Sequence, residues 1–372
     1  MLLRQRIHGL AWTLTAALVV ATAALLATED ISEQAIRNVR GILTGHGTVL
    51  DENGIPLVRY GANVGGIREP QRNPVATVQA SLQHAARLAA GDTAAARLFL
   101  NCANWLIETA APHGDWATLE YLFPFPRYRM TPPWRSGMAQ GCALEALVVA
   151  DSLTRDPKYL DMARRLLAAF EVDVENGGVR DTTVPVGWWY EEYADQGGVR
   201  SRVLNGMIFA LFGIHRYYEY TGASDTSARL LFDNGVAAVR ELLPAFDRRT
   251  ASMYDLAGHA ASDNYHAIHI GQLRRLSTIT QLSVFEEYAE RWAGFQSLPM
   301  VARLAIRPTA LGFAMLFLNL IPATGLVVVV RIALVHWLAA HPRIIPHFPL
   351  SHTSPEGTVL SRRTDAGAGA RR

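Results

Sequence analysis

The chain has 372 residues, enough for one large domain or two ordinary ones with a sizeable core. Half of the residues are hydrophobic and 18% are charged, a bias explained by two long apolar stretches. A formal charge of +2 excludes the global positive field of a nucleic-acid binder, so an anionic partner must be held by local arginines.

The chain opens with MLLRQRIHG, a run of about 18 apolar or small residues, and then TEDISEQ. A basic start and an acidic exit fit a signal anchor over residues 1–29, with cleavage after Ala23 as the alternative. The anchor is favoured because the apolar run continues past that point. Residues 30–43 read as a short amphipathic helix. Residues 47–61 hold two β-rich runs around Asp51-Glu52-Asn53-Gly54, which predicts a short N-terminal β-hairpin within a 30–62 segment.

Beyond Pro74 the pattern is helical, in four pairs. In PKYLDMARRLLAAF, for example, Tyr159, Met162, Leu166 and Phe170 recur at helical spacing. The first helices of the pairs begin near 75, 138, 204 and 268, a repeat of about 65 residues. Each unit needs its neighbours to bury its face. The expected fold over 63–298 is therefore mainly α: an α/α toroid, or incomplete barrel of helix hairpins, flanked by transmembrane helices. Cys102 and Cys142 fall in apolar helical runs and read as buried free thiols.

A second apolar stretch, 308–330, predicts a C-terminal membrane segment over 308–340, with a buried C-terminal helix as the alternative. Arginines at both ends of the chain place those ends in the cytoplasm. Residues 30–300 then lie on the extracytoplasmic or lumenal side. Residues 341–372 read as a disordered Arg-rich tail.

Three long connections, 119–137, 180–203 and 247–266, each carry tyrosine and arginine. At one mouth of a toroid they would stack sugar rings and grip carboxylates. Within them and just after them, PWRSGMAQG (133–141), WYEEY (189–193), VLNG (203–206), MYDL (253–256) and YHAIHIGQL (265–273) occur in order. This series resembles the C-terminal catalytic domain of the D-glucuronyl C5-epimerase family over roughly residues 57–295. The resemblance implies inversion at C5 of glucuronate within a polymer such as heparosan, giving iduronate, without an organic cofactor. It also implies a homodimer, by analogy with the animal members. Those members carry an N-terminal β-sandwich, where only a hairpin is expected here.

The resemblance assigns catalysis to Tyr193 and Tyr265, supported by Glu192 and Tyr254. C5–H lies alpha to a carboxylate, so its removal needs a cation beside the developing dianion, and a base and an acid on opposite ring faces. Nearby arginines would lower the tyrosine pKa values. The family's arginine after the YDL motif is replaced by Ala257, and NYH (264–266) stands for DYH. Arg135, Arg200 and Arg202 are therefore the candidates for carboxylate binding, with Trp134, Asn205 and His266 as further substrate contacts. His266 and His269 have no third ligand at suitable spacing, so no metal is expected. A lyase, a hydrolase pairing Glu192 with Asp195 or Asp255, and a non-catalytic glycan-binding protein stay open as alternatives. WWYEEYAD itself also reads as a half-buried strand with Trp188 and Tyr190 inward.

Overall fold

Five helices start on side-chain caps, and these caps set the architecture. The side chains of Asn73, Ser136, Asp156, Asp225 and Ser262 each accept a hydrogen bond from a backbone N–H of the first helical turn. Pro74 and Pro157 add the preset φ of a helix start. In the computed structural model, which describes residues 2–44, 46–60, 67 and 69–340, the helices so begun form four antiparallel hairpins. They are α2 (Pro74–Ala89) with α3 (Ala95–Thr109), α4 (Gly137–Thr154) with α5 (Pro157–Ala168), α6 (Leu204–Tyr220) with α7 (Thr226–Phe246), and α8 (Asp263–Thr280) with α9 (Ser283–Gln296). The tail expected at 341–372 lies outside the described residues.

The first helix of each hairpin packs on the first helix of the next, α2 on α4, α4 on α6 and α6 on α8. The second helices wrap the outside, and the arc is the expected incomplete toroid. Burial follows this layering. Nearly all of α4 is buried, whereas α5 buries one stripe, Tyr159, Met162, Ala163, Leu166 and Leu167.

The closest approach is between α4 and α6. A Cβ on Gly213 would lie 1.7 Å from the carbonyl oxygen of Gly141, and one on Gly141 would lie 2.4 Å from Ala210 Cα. The MAQG motif is thus a packing motif. Cys102 and Cys142 are buried free thiols.

Ahead of the toroid, β1 (His46–Leu50), β2 (Pro56–Tyr60) and β3 (Gln71–Arg72) form an antiparallel sheet in that order. The turn works as its sequence predicts. Asp51 Oδ1 accepts from the backbone N–H groups of Asn53 and Ile55, and Gly54 takes φ +79°. The third strand is a correction to the simple hairpin, since Gln71 and Arg72 pair with Val58 and Leu57. Two-residue ladders pin the long connections: β6 (Glu120–Tyr121) with β7 (Trp134–Arg135), and β8 (Arg180–Asp181) with β9 (Trp189–Tyr190). A further pair, β4 (Ala111–His113) with β5 (Trp116–Thr118), follows α3.

The terminal helices are α1 (Leu2–Thr44) and α11 (Ala310–Ala340), with the short α10 (Met300–Ile306) before α11. Leu10–Glu29 and Ala310–Trp337 are long and apolar enough to cross a membrane. Their apolar side chains, such as Trp12, Phe317 and Ile321, are mostly exposed, unlike those of a core helix. The anchor and the amphipathic helix expected after it form one element, which breaks from helical geometry at Thr28 (φ −127°, ψ 21°).

By contacts the described residues divide into a unit within 21–319 and a second unit of 2–20 with 320–340. In the first, Asn319 joins Thr28 and Ser32 by side-chain hydrogen bonds at 3.3 and 3.1 Å. Arg303 pairs with Glu29, and Arg307 donates to the carbonyl of Ala261 at 3.2 Å. In the second, Arg331 donates to Thr13 Oγ1 at 2.7 Å.

Candidate active site

Adjacent glutamates in an extended segment point to opposite sides, and Glu191 and Glu192 do so here. Glu191 is fully buried, and its carboxylate accepts from Ser201 Oγ and from the backbone N–H of Arg202. Burial pushes its pKa up to about 8. It fastens the connection to itself. Glu192 lines a cleft of about 180 Å³. The cleft wall also includes Tyr60, Asn73, Tyr121, Phe125, Trp134, Ser136, Tyr193 and Tyr265.

Glu192 fits because Gly206, in the first turn of α6, has no side chain. A Cβ there would lie 2.2 Å from Glu192 Oε2. Among the described residues Oε2 has no hydrogen-bond partner, while Oε1 meets Tyr254 Oη at 3.5 Å. Burial raises the Glu192 pKa to about 7. Tyr254 Oη lies 3.4 Å from Tyr193 Oη, and the Tyr254 ring stands edge-on to Tyr265 with centroids 4.7 Å apart. These hydroxyl contacts are long, as they commonly are before a substrate tightens a site.

Rings hold these groups in place. Tyr193 stacks against both Phe125 at 5.3 Å and Tyr128 at 4.4 Å, which meet each other at 6.0 Å, and Trp134 lies on Tyr121 at 3.8 Å. Tyr128 in turn donates to the buried Asp255 at 2.5 Å, which also holds His259 Nδ1 at 2.6 Å. Burial, reinforced by the charge of Glu192, raises the pKa values of Tyr193, Tyr254 and Tyr265. The lowering expected from arginines is overridden, because taking a phenolate out of water costs more than a distant cation returns.

Residues 113–294 match the family model described as D-glucuronyl C5-epimerase C-terminus. This segment belongs to that family. All five sequence motifs fall inside it. The chain is 31% identical over 215 residues to a D-glucuronyl C5-epimerase of Caenorhabditis elegans, covering 53% of this chain and 34% of that protein. An uncharacterized protein of Methanocaldococcus jannaschii is also 31% identical, over 46% of this chain and 56% of its own length. The chain thus spans between a third and just over half of these curated relatives. Among solved structures, cellobiose 2-epimerase from Spirochaeta thermophila is similar with 14% identity and a TM-score of 0.46, covering 76% of this chain and 73% of that one.

Within the epimerase-family segment, the expected catalytic set Glu192, Tyr193, Tyr254 and Tyr265 comes together. The cation candidates do not join it. Arg135 is paired with Glu120 at 2.8 Å, its cross-strand neighbour. Arg200 holds Glu175 at 2.5 Å and the carbonyl of Asp195 at 3.0 Å. Arg202 donates to Asp181 and Thr183 from a left-handed backbone (φ 50°). All three bind the protein's own acceptors and none lines the cleft.

His266 is a second correction. It lies buried within the first turn of α8, which starts at Asp263 and so earlier than expected. Its Nδ1 accepts from the backbone N–H of Ser252, whose hydroxyl also meets His269 Nδ1 at 2.7 Å. Burial lowers both imidazole pKa values, that of His269 to about 3, so both are neutral. Asn205 is likewise buried behind the cleft, and its backbone carbonyl accepts from Gln272. Trp134 does face the cleft, with its Nε1–H bonded to the carbonyl of Phe123.

The strand reading of WWYEEYAD holds for two residues only. Trp189 and Tyr190 are both fully buried, because β9 passes between the α6–α7 hairpin and β8 instead of edging a wide sheet.

Cleft residues that the sequence reading missed include Tyr60, Asn73, Tyr121 and Phe125. Tyr121, Phe123 and Phe125 alternate in LEYLFPFP, a period-two signal of one extended face. Asp195 accepts two hydrogen bonds from Thr131, and Asp255 is held by Tyr128 and His259. Among the described cleft residues Glu192 is the one carboxylate, so the hydrolase reading lacks its opposed partner.

Proposed function

We propose that the chain is a C5-epimerase that converts glucuronate units of a polysaccharide to iduronate. The observation that carries this reading is the convergence of Glu192, Tyr193 and Tyr265 on one ring-lined cleft, with Tyr254 in contact with all three. Glu192, with its pKa raised to about 7, is the group able to gain and lose a proton near neutrality. Tyr193 Oη takes the C5 proton while passing its own to Tyr254, which passes one to Glu192. The electron pair left on C5 spreads into the substrate carboxyl group. Tyr265 then returns a proton to C5 from the opposite face of the ring. At 37% exposure it recovers that proton from solvent, as ionised Glu192 is restored by release of its own.

Family membership of residues 113–294 and the worm relative support this reading. The two apolar helices support a place at a membrane, with the toroid on the extracytoplasmic or lumenal side. Incubation of the full chain with heparosan in D2O tests the activity. Deuterium at C5 together with new iduronate is the expected result. An unsaturated, UV-absorbing end would show a lyase instead, and no exchange on any uronan would refute the epimerase.

A further inference from the structure

If the site abstracts a proton beside a carboxylate, it must face a second negative charge, and the described cleft wall supplies no cation. Its one charged group is Glu192, which has the wrong sign. A guanidinium stands at the edge of the same site, however. Arg127 Cζ lies 5.8 Å from the ring centroid of Tyr254 and 5.5 Å from that of Tyr128. Tyr254 is the group that touches both Tyr193 and Glu192.

The loop that carries Arg127 is built for fixed placement. Phe125 and Met130 exchange backbone hydrogen bonds at 3.1 and 3.0 Å, which closes residues 125–130 into a clasp. Both rings that flank Arg127, Phe125 and Tyr128, stack on Tyr193, and buried Asp255 fixes the Tyr128 hydroxyl. The clasp therefore moves with Tyr193, while the exposed Arg127 side chain is free to turn.

Among the described residues, Arg127 makes no ion pair and no hydrogen bond. Its ring contacts are weak at an exposed site and are readily exchanged for a carboxylate fork. Arg135, Arg200 and Arg202 would have to break ion pairs to do the same.

We infer that Arg127 is the residue that binds the uronate carboxylate and neutralises the charge that develops on it, an inference that rests on the epimerase reading. Its position beside Tyr254 puts the guanidinium next to the acid–base groups instead of at a remote subsite. Loss of Arg127 then lowers turnover as well as affinity.

Two measurements on the full chain in detergent test it, with Arg129→Ala as a control for the charge of the loop. In the first, Arg127→Ala lowers deuterium uptake at C5 of heparosan by about 10²–10³-fold, Arg127→Lys by about tenfold, and the control leaves it unchanged. In the second, the wild type binds heparosan more tightly than carboxyl-reduced heparosan, and Arg127→Ala binds the two alike. Wild-type exchange rates in Arg127→Ala overturn the assignment and leave the epimerase standing. If the wild type exchanges nothing, the epimerase reading fails and the binding comparison alone decides the role of Arg127. A carboxyl preference retained in Arg127→Ala, or absent from the wild type, overturns it.

Discussion

Replacing Glu192 by glutamine should stabilise the protein while removing its activity, and only above a defined pH. Burial moves the Glu192 pKa from 4.5 to about 7. Ionising the group in the folded chain therefore costs about 3 kcal/mol more than in the unfolded chain, at roughly 1.4 kcal/mol per tenfold change in the equilibrium. Because the folded pKa is the higher one, the folded state holds the extra proton between pH 4.5 and about 7. Stability from this group is complete below pH 4.5, declines as pH rises through that window and is gone above about 7. Glutamine stays neutral throughout, so its advantage appears only as the wild type loses its own. A new amide N–H without an acceptor beside Gly206 offsets about 1 kcal/mol of the gain. The remaining ~2 kcal/mol corresponds to a rise of roughly 4–8 °C in Tm at pH 8 for a domain of this size. No rise is expected from this effect at pH 4. C5 exchange should fall by roughly 10²–10⁴-fold, the usual worth of an acid–base group. Thermal unfolding of both proteins from pH 4 to 9 gives the test: parallel curves of Tm against pH would falsify the assignment of a buried, titrating Glu192.

Other perturbations have equally direct outcomes. Gly213→Ala forces a methyl into the Gly141 carbonyl and should cost about 3 kcal/mol, the upper end for overpacking, since backbone cannot retreat; an unchanged Tm would show that the helices separate freely. Asp255→Asn removes a charged acceptor shared by Tyr128 and His259 and should cost about 2–3 kcal/mol, with reduced C5 exchange as the rings on Tyr193 loosen. Unfolding at pH 7 and the exchange assay measure both effects. Asn319→Leu breaks the bonds to Thr28 and Ser32 and should lower stability in bicelles by about 1 kcal/mol without changing exchange.

The helical hairpins were legible because their signals are local. Stripes such as Tyr159, Met162, Leu166 and Phe170 are complete within about three turns of sequence. The tyrosines and Glu192 were legible only through ordered motifs, since nothing near Tyr265 in sequence points to Tyr193. The arginines were misjudged for a definite reason. Whether a guanidinium is free depends on its acceptors, and those of Arg200 and Arg202, Glu175 and Asp181, lie 25 and 21 residues away in sequence. The direction of the tyrosine pKa shifts was likewise hidden, because burial is a property of the assembled cleft.

The ion pair between Arg303 and Glu29 spans 274 positions of sequence and ties α1, ahead of the toroid, to α10, which follows it. The stretch between them accordingly starts and finishes at a single port. The port also serves the interior. Arg307, just past it, holds the carbonyl of Ala261 next to Ser262, the cap that starts the helix of Tyr265. A fragment trimmed to the toroid alone would keep its hairpins and lose the strut that steadies one of its three tyrosines.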